Sequence, residues 1–70
     1  MISPTVYARR SICHLFCDQA DAALRDAMQA QCVYPNWPTA LYLQAVALAK
    51  LNMLEDSGTM LKEAKILEDK

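Results

Sequence analysis

Glycine is nearly missing from this chain: Gly58 is the only one in 70 residues, and proline occurs only at positions 4, 35 and 38. Sheets and hairpins draw on both residues for their tight turns, so this scarcity argues against strands and for long helices with few breaks. A cluster of one charge is missing as well. Arg9, Arg10 and Arg25 balance Asp18, Asp21 and Asp26, and four lysines meet five carboxylates in the second half, for a net charge of −1. Nucleic-acid binding rests on clustered Lys and Arg that neutralise phosphates, and no such patch exists here. The longest nearly apolar stretch, Ala40 to Ala49 broken by Gln44, is about half of what a bilayer-spanning helix needs, so direct membrane insertion is not expected. The start, Met1-Ile2-Ser3-Pro4, has neither the basic region of a signal peptide nor the Met-Gly of a myristoylation site.

The catalytic inventory is equally thin. There is one histidine, no glycine-rich phosphate loop and no nucleophile with an evident base, so neither an enzymatic role nor a cofactor is expected of these residues. Three cysteines, Cys13, Cys17 and Cys32, form no disulfide framework and suit a reduced, cytosolic setting. Cys13-His14-x-x-Cys17 places two thiols a turn apart, but a closed zinc site needs four ligands and no fourth is in view. The cysteines are therefore read as small buried residues on helix faces, and His14 as packing at the seam between two helices.

What is present is apolar: 54% of the residues are hydrophobic against 21% charged, too much burial potential for a disordered segment. At this length only roughly 60% of the unfolded surface is buried on folding, so stability should be marginal. Ser3-Pro4 reads as a helix start, with serine as the cap and proline in the first turn, and Val6, Tyr7, Ile12, Cys13, Leu15 and Phe16 follow at helical spacing. A break falls at residues 17–20, where Asp18 can take up left-handed backbone. A second helix runs to about Val33 with a stripe of Ala20, Ala23, Leu24, Ala27, Met28 and Ala30, mostly small residues that let a neighbour approach closely. Pro35 and Pro38 separate it from a third helix, about Trp37 to Leu51, which is apolar all round and so belongs in the middle. Asn52 breaks the chain again before a fourth helix, about Leu54 to Leu67, weakened by Gly58.

Shifted by about thirty-four residues, the chain matches itself in outline: helix, short break, helix, twice over. That period and pattern are the tetratricopeptide signature. The first half resembles the motif through Tyr7, Ser11, Ala23, Ala30 and Pro35; the second keeps Leu41, Ala45, Leu61 and Ala64 but has Ser57 in an alanine place and Asp69 in the closing proline's. The expected fold is all-α, a tetratricopeptide-like superhelix of two antiparallel hairpins (about 4–34 and 37–68) in one domain over 1–70. The second and third helices should supply the core.

The runs Ile2 to Ser11, Asp26 to Gln31 and Tyr42 to Leu48 resemble the C-terminal tetratricopeptide region of plant brassinosteroid-signalling kinases, and the resemblance covers almost the whole chain. It implies a non-catalytic scaffold or regulatory module of a receptor-like cytoplasmic kinase or pseudokinase. The longer protein would be held at the cytoplasmic face of the plasma membrane by N-terminal lipid. The implied partners are proteins: a receptor kinase, a MAP kinase kinase kinase or the protein's own kinase domain. The alternative is a structural brace on that kinase domain or a homodimer. None of the kinase motifs lies in these residues. Chaperone-tail binding is disfavoured, since Arg9, Thr39 and Leu43 occupy the places where asparagine, lysine and arginine would grip a carboxylate.

By repeat geometry the partner-binding groove is expected to comprise Arg9, Ile12 and Phe16 from the first helix and Tyr42, Leu43, Val46 and Lys50 from the third. Arg9 and Lys50 would orient an acidic group there. Arg10 is expected to form a buried, hydrogen-bonded ion pair with Asp26 across the first hairpin. On the fourth helix, Leu54 and Leu61 should cover the third helix, leaving Met60 and Leu67 exposed for self-association. Ser3, Ser11, Thr39 and Ser57 are the hydroxyls considered for phosphorylation.

Overall fold

The computed structural model describes residues 4–69, and the Ser3 cap expected before Pro4 lies outside them. The described chain forms four helices: α1 (Pro4–Phe16), α2 (Ala20–Val33), α3 (Pro38–Lys50) and α4 (Leu54–Glu68). Successive helices pack as hairpins, α1 on α2 and α3 on α4. The two hairpins meet chiefly through α2 and α3, with a smaller seam between α1 and α3. α3 thus touches all three other helices, as its apolar periphery demands.

Both hairpins close by the same turn. Asp18 and Asn52, one repeat apart, carry left-handed backbone with φ of 61° and 65°. The N–H of Gln19 donates to the His14 carbonyl at 2.8 Å and that of Asp18 to Leu15 at 3.2 Å; Met53 donates to Leu48 at 2.9 Å and Asn52 to Ala49 at 3.0 Å. This pair of bonds is the Schellman motif, which satisfies helix-end carbonyls while reversing the chain. Asp and Asn serve where glycine is usual because their short polar side chains tolerate that region. At the α2–α3 junction Trp37 precedes α3 with extended backbone, and Pro38 stands in its first turn, where no N–H is needed.

The core is built largely of alanine. Ala23, Ala27, Ala30, Ala40, Ala47 and Ala64 are fully covered, and the largest fully buried side chains are Leu41 and Ser11. Ala8, Ala27 and Leu43 form a cluster against which Leu15 and Trp37 pack, and Trp37 meets Tyr34 edge to face with ring centroids 6.5 Å apart. Small residues bring helix backbones close, and the two serines use that proximity. Ser11 Oγ on α1 donates to the Ala23 carbonyl on α2 at 2.8 Å. Ser57 Oγ on α4 donates to the Ala45 carbonyl on α3 at 2.7 Å. Residues 11 and 45 are repeat equivalents, as are 23 and 57, so the same contact recurs with serine and alanine exchanged between the helices. Neither buried hydroxyl is accessible for phosphorylation.

Several expectations change once the helices are packed. Met28 is exposed, pointing away from the α2 stripe. The three cysteines are exposed too. Cys13 is the repeat equivalent of Ala47 on α3, which is fully buried, but no described helix lies over that face of α1. On α4 the inward stripe is Ser57, Met60, Ala64 and Leu67, with Ser57 and Ala64 buried and Met60 and Leu67 half-buried. The open edge is therefore Leu54, 65% exposed, and Leu61, 45% exposed, the reverse of the expected arrangement. Small Ser57 and Ala64 sit closest to α3 and rotate the helix so that Leu54 and Leu61 turn outward.

Candidate protein-interaction surface

α1 and α3 are successive first helices of the two hairpins, and residues one repeat apart occupy matching places on them. Ile12 matches Val46, and Phe16 matches Lys50. Ile12 and Phe16 are one turn apart on one face of α1. Phe16 is 87% exposed at the end of its helix, while Ile12 and Val46 are each about two-fifths exposed. Lys50, in the last turn of α3, is exposed and complements that helix's C-terminal dipole. The result is an apolar strip across two helices with one cation at its end. Arg9 is exposed two turns before Phe16, on nearly the same face of α1.

Two of the expected groove residues are placed differently. Leu43 is only 9% exposed and belongs to the core cluster with Ala8 and Ala27, so it cannot serve as a surface anchor. Tyr42 is half-buried, and the Glu68 carboxylate, as an acceptor for its hydroxyl, raises the phenol above its ordinary value, assisted by desolvation and by the charges of Glu68 and Asp69.

The Arg10–Asp26 pair forms, but not as a buried one. Arg10 Nε stands 3.5 Å from Asp26 Oδ2, with the arginine side chain 56% exposed and the aspartate 9%. The closer neighbour of the carboxylate is His14, whose Nε2 lies 3.1 Å from the same oxygen. His14 Nδ1 lies 3.1 Å from Gln19 Oε1, its acceptor in the turn. Neither neighbour is aligned as a hydrogen bond to buried Asp26 Oδ2. His14 therefore sits at the α1–α2 seam as expected, bonded to Gln19 in the turn and standing beside the Asp26 carboxylate of α2.

Two further features escaped sequence reasoning. Gln44 Nε2 donates to Gln31 Oε1 at 2.6 Å, bridging α3 and α2 between the hairpins; paired glutamines on facing helices were the available signal. A cleft of ≈ 250 Å³ opens between the α2–α3 loop and α4, lined by Gln31, Pro35, Asn36, Leu41, Glu63, Ile66 and Leu67. It falls short of the roughly 300–1,000 Å³ of small-molecule sites and shares no residue with the α1–α3 strip. Among the described residues there is no cluster of three or more metal-ligating side chains and no helix long and apolar enough to cross a membrane.

Comparison with known proteins bears on what this surface belongs to. A family model described as serine/threonine-protein kinase BSK1-like, TPR repeats, matches residues 1–45. Over the full 70 residues the chain is 86% identical to serine/threonine-protein kinase BSK11 of Arabidopsis thaliana, covering 14% of that protein. It is 77% identical to serine/threonine-protein kinase BSK1-2 of Oryza sativa subsp. japonica, covering 13%. It is 60% identical to an Arabidopsis thaliana protein named "Probable inactive receptor-like kinase BSK12", covering 15%. No solved structure gives a significant match. The chain thus spans about one seventh of its relatives, in a helical-repeat region that accompanies a kinase, and it belongs to the tetratricopeptide-repeat family of the BSK1-like brassinosteroid-signalling kinases.

Proposed function

We propose that these residues form a non-catalytic docking module that binds another protein through the strip made by Ile12, Phe16 and Val46, with Arg9 and Lys50 attracting an acidic group at its edge. The observation that carries this is Phe16, a phenylalanine 87% exposed. A large aromatic held open to water is costly by itself, whereas aromatics dominate the energetics of protein interfaces. The region accompanies both proteins named as kinases and one named as inactive, which favours a role separable from phosphoryl transfer.

Within brassinosteroid-type or MAP kinase signalling, the partner classes are a receptor kinase, a MAP kinase kinase kinase or the kinase domain of the same protein. The longer protein would work at the cytoplasmic face of the plasma membrane, held there by N-terminal lipid. Isothermal titration of the purified chain against each kinase fragment tests the reading: Phe16→Ala should weaken binding about tenfold or more while leaving the circular dichroism unchanged. Equal affinities for Phe16→Ala and the parent chain would remove the strip from the interface. Exclusive binding to its own kinase domain would assign the module to bracing that domain.

A further inference from the structure

The cleft beside the α2–α3 loop has firm walls. On one side Pro35 fixes its own backbone, and the loop is pinned by the edge-to-face pair of Tyr34 and Trp37 and by the Trp37 N–H, which donates to the Tyr34 carbonyl at 3.3 Å. Ile66 of α4 stands opposite, and Leu41 of α3, otherwise covered, forms the floor. The space of ≈ 250 Å³ is small for a whole ligand, yet it exceeds the roughly 150 Å³ that holds a benzene ring in a protein interior. One large apolar side chain fits it. The rim is polar and of one sign. Gln31 accepts from Gln44 through Oε1, which leaves its Nε2 as a donor at the cleft wall. Asn36 adds a second amide, and Glu63 is the one charged side chain among the described residues that line the space. Two helices also end here, α2 at Val33 and α4 at Glu68, and helix C-termini carry partial negative charge. α2 has no basic residue in its last turn to offset that charge. Lys65, in the last turn of α4, lies about 160° round the helix from Glu63.

We propose that this cleft receives an extended peptide segment of a partner protein, one that carries a large apolar side chain next to a lysine or arginine. The apolar group seats on Leu41 between Pro35 and Ile66. The amides of Gln31 and Asn36 offer a donor and an acceptor to the peptide backbone beside it, and the cation reaches Glu63. The charge of the rim selects this occupant. An acidic segment would meet Glu63 and two negative helix ends with no cation to receive it, so the same features that attract a basic segment reject an acidic one. Firm walls mean that little ordering of the cleft opposes binding. The site differs in sign from the α1–α3 strip, whose cationic edge attracts an acidic group, and the two share no residue. The module can therefore hold two segments of opposite charge at once.

Nuclear magnetic resonance titration of the isotope-labelled chain tests this, using capped tetrapeptides in which leucine, phenylalanine or tryptophan is followed by lysine or by glutamate. At millimolar peptide, at least one lysine peptide should shift the amide signals of Gln31, Asn36 and Ile66. It should bind about tenfold more tightly than its glutamate counterpart, and the preference should shrink as salt rises. Glu63→Lys, a change at an exposed residue, should reverse the preference while the circular dichroism stays the same. Ile66→Ser should weaken the lysine peptides about tenfold, whereas Phe16→Ala should leave them unaffected. Lysine peptides that shift no cleft signal, bind no better than the glutamate peptides, or keep their affinity for the Glu63→Lys chain would each overturn the proposal.

Discussion

The exchanged serines of the two hairpins make a test of whether the repeat describes the energetics as well as the outline. Ser11→Ala removes the hydroxyl that donates to the Ala23 carbonyl at 2.8 Å. A buried hydrogen bond contributes about 0.5–1.5 kcal/mol, and alanine returns up to about 0.5 kcal/mol of helix propensity. The net cost should be about 0.5–1 kcal/mol. Ala23→Ser alone places a second hydroxyl opposite Ser11 in a fully buried contact, and crowding plus an unpaired polar group should cost about 1–3 kcal/mol. The double substitution, however, reproduces the arrangement of the second hairpin, where Ser57 donates to the Ala45 carbonyl at 2.7 Å. It should return to within about 0.5 kcal/mol of the parent, a coupling of about 1–4 kcal/mol. Thermal unfolding of dilute protein, which holds self-association fixed, would register each kcal/mol as about 4–8 °C for a domain of this size. A double variant that melts as low as the sum of the single losses would refute the equivalence.

Other substitutions separate buried from exposed charge. Arg10→Ala should cost about 1 kcal/mol or less, since the arginine is mostly solvated, whereas Asp26→Leu should also remove the carboxylate that stands beside both Arg10 and His14; urea denaturation of each, with the Arg10→Ala/Asp26→Leu double variant, closes the cycle. Asn52→Ala should lose about 1 kcal/mol in the same assay, because alanine resists the left-handed backbone at φ 65°, while Asn52→Gly should hold or gain. Tyr42 supplies a pH dependence: its phenol is raised chiefly by the Glu68 hydrogen bond, so its contribution to stability is complete below the ordinary tyrosine range and is lost as pH rises through the folded value. Ultraviolet titration should show Glu68→Gln bringing that ionisation to lower pH. Arg9→Glu should preserve helicity and weaken binding of an acidic partner; unchanged affinity would place Arg9 outside the interface.

Helix limits and both turns were legible in the sequence because their causes are local. Pro35 and Pro38 stop α2 and start α3 whatever surrounds them, and Asp18 and Asn52 accept left-handed backbone by virtue of their own side chains. The direction each helix faces was less legible, since it is set by neighbours. Leu43 and Arg9 are repeat equivalents, yet one is core and the other exposed because only the first has α2 beside it. Leu54 and Leu61 look as suited to covering α3 as Met60 and Leu67; the choice follows from Ser57 and Ala64 fitting tightest, a property of the assembled pair. Exposure of Cys13, Cys17 and Cys32 has the same origin: residue type favours burial, but a helix buries only the faces its neighbours reach. Of the candidate surface, Ile12, Phe16, Val46 and Lys50 are exposed as their repeat positions suggested.

An interior made mostly of alanine has little volume to lose and almost none to gain. Enlarging Ala23, Ala27, Ala30, Ala40 or Ala47 would wedge backbones apart, so damaging variants here should be those that add atoms, the opposite of the large-to-small losses typical of leucine-rich cores. Drift in such a protein is channelled outward. Positions such as Phe16, Ile12 and Val46 can change size and polarity without disturbing the distance between α1 and α3. The framework can therefore stay constant while the chemistry it displays diverges, and paralogues built on one backbone can come to prefer different partners.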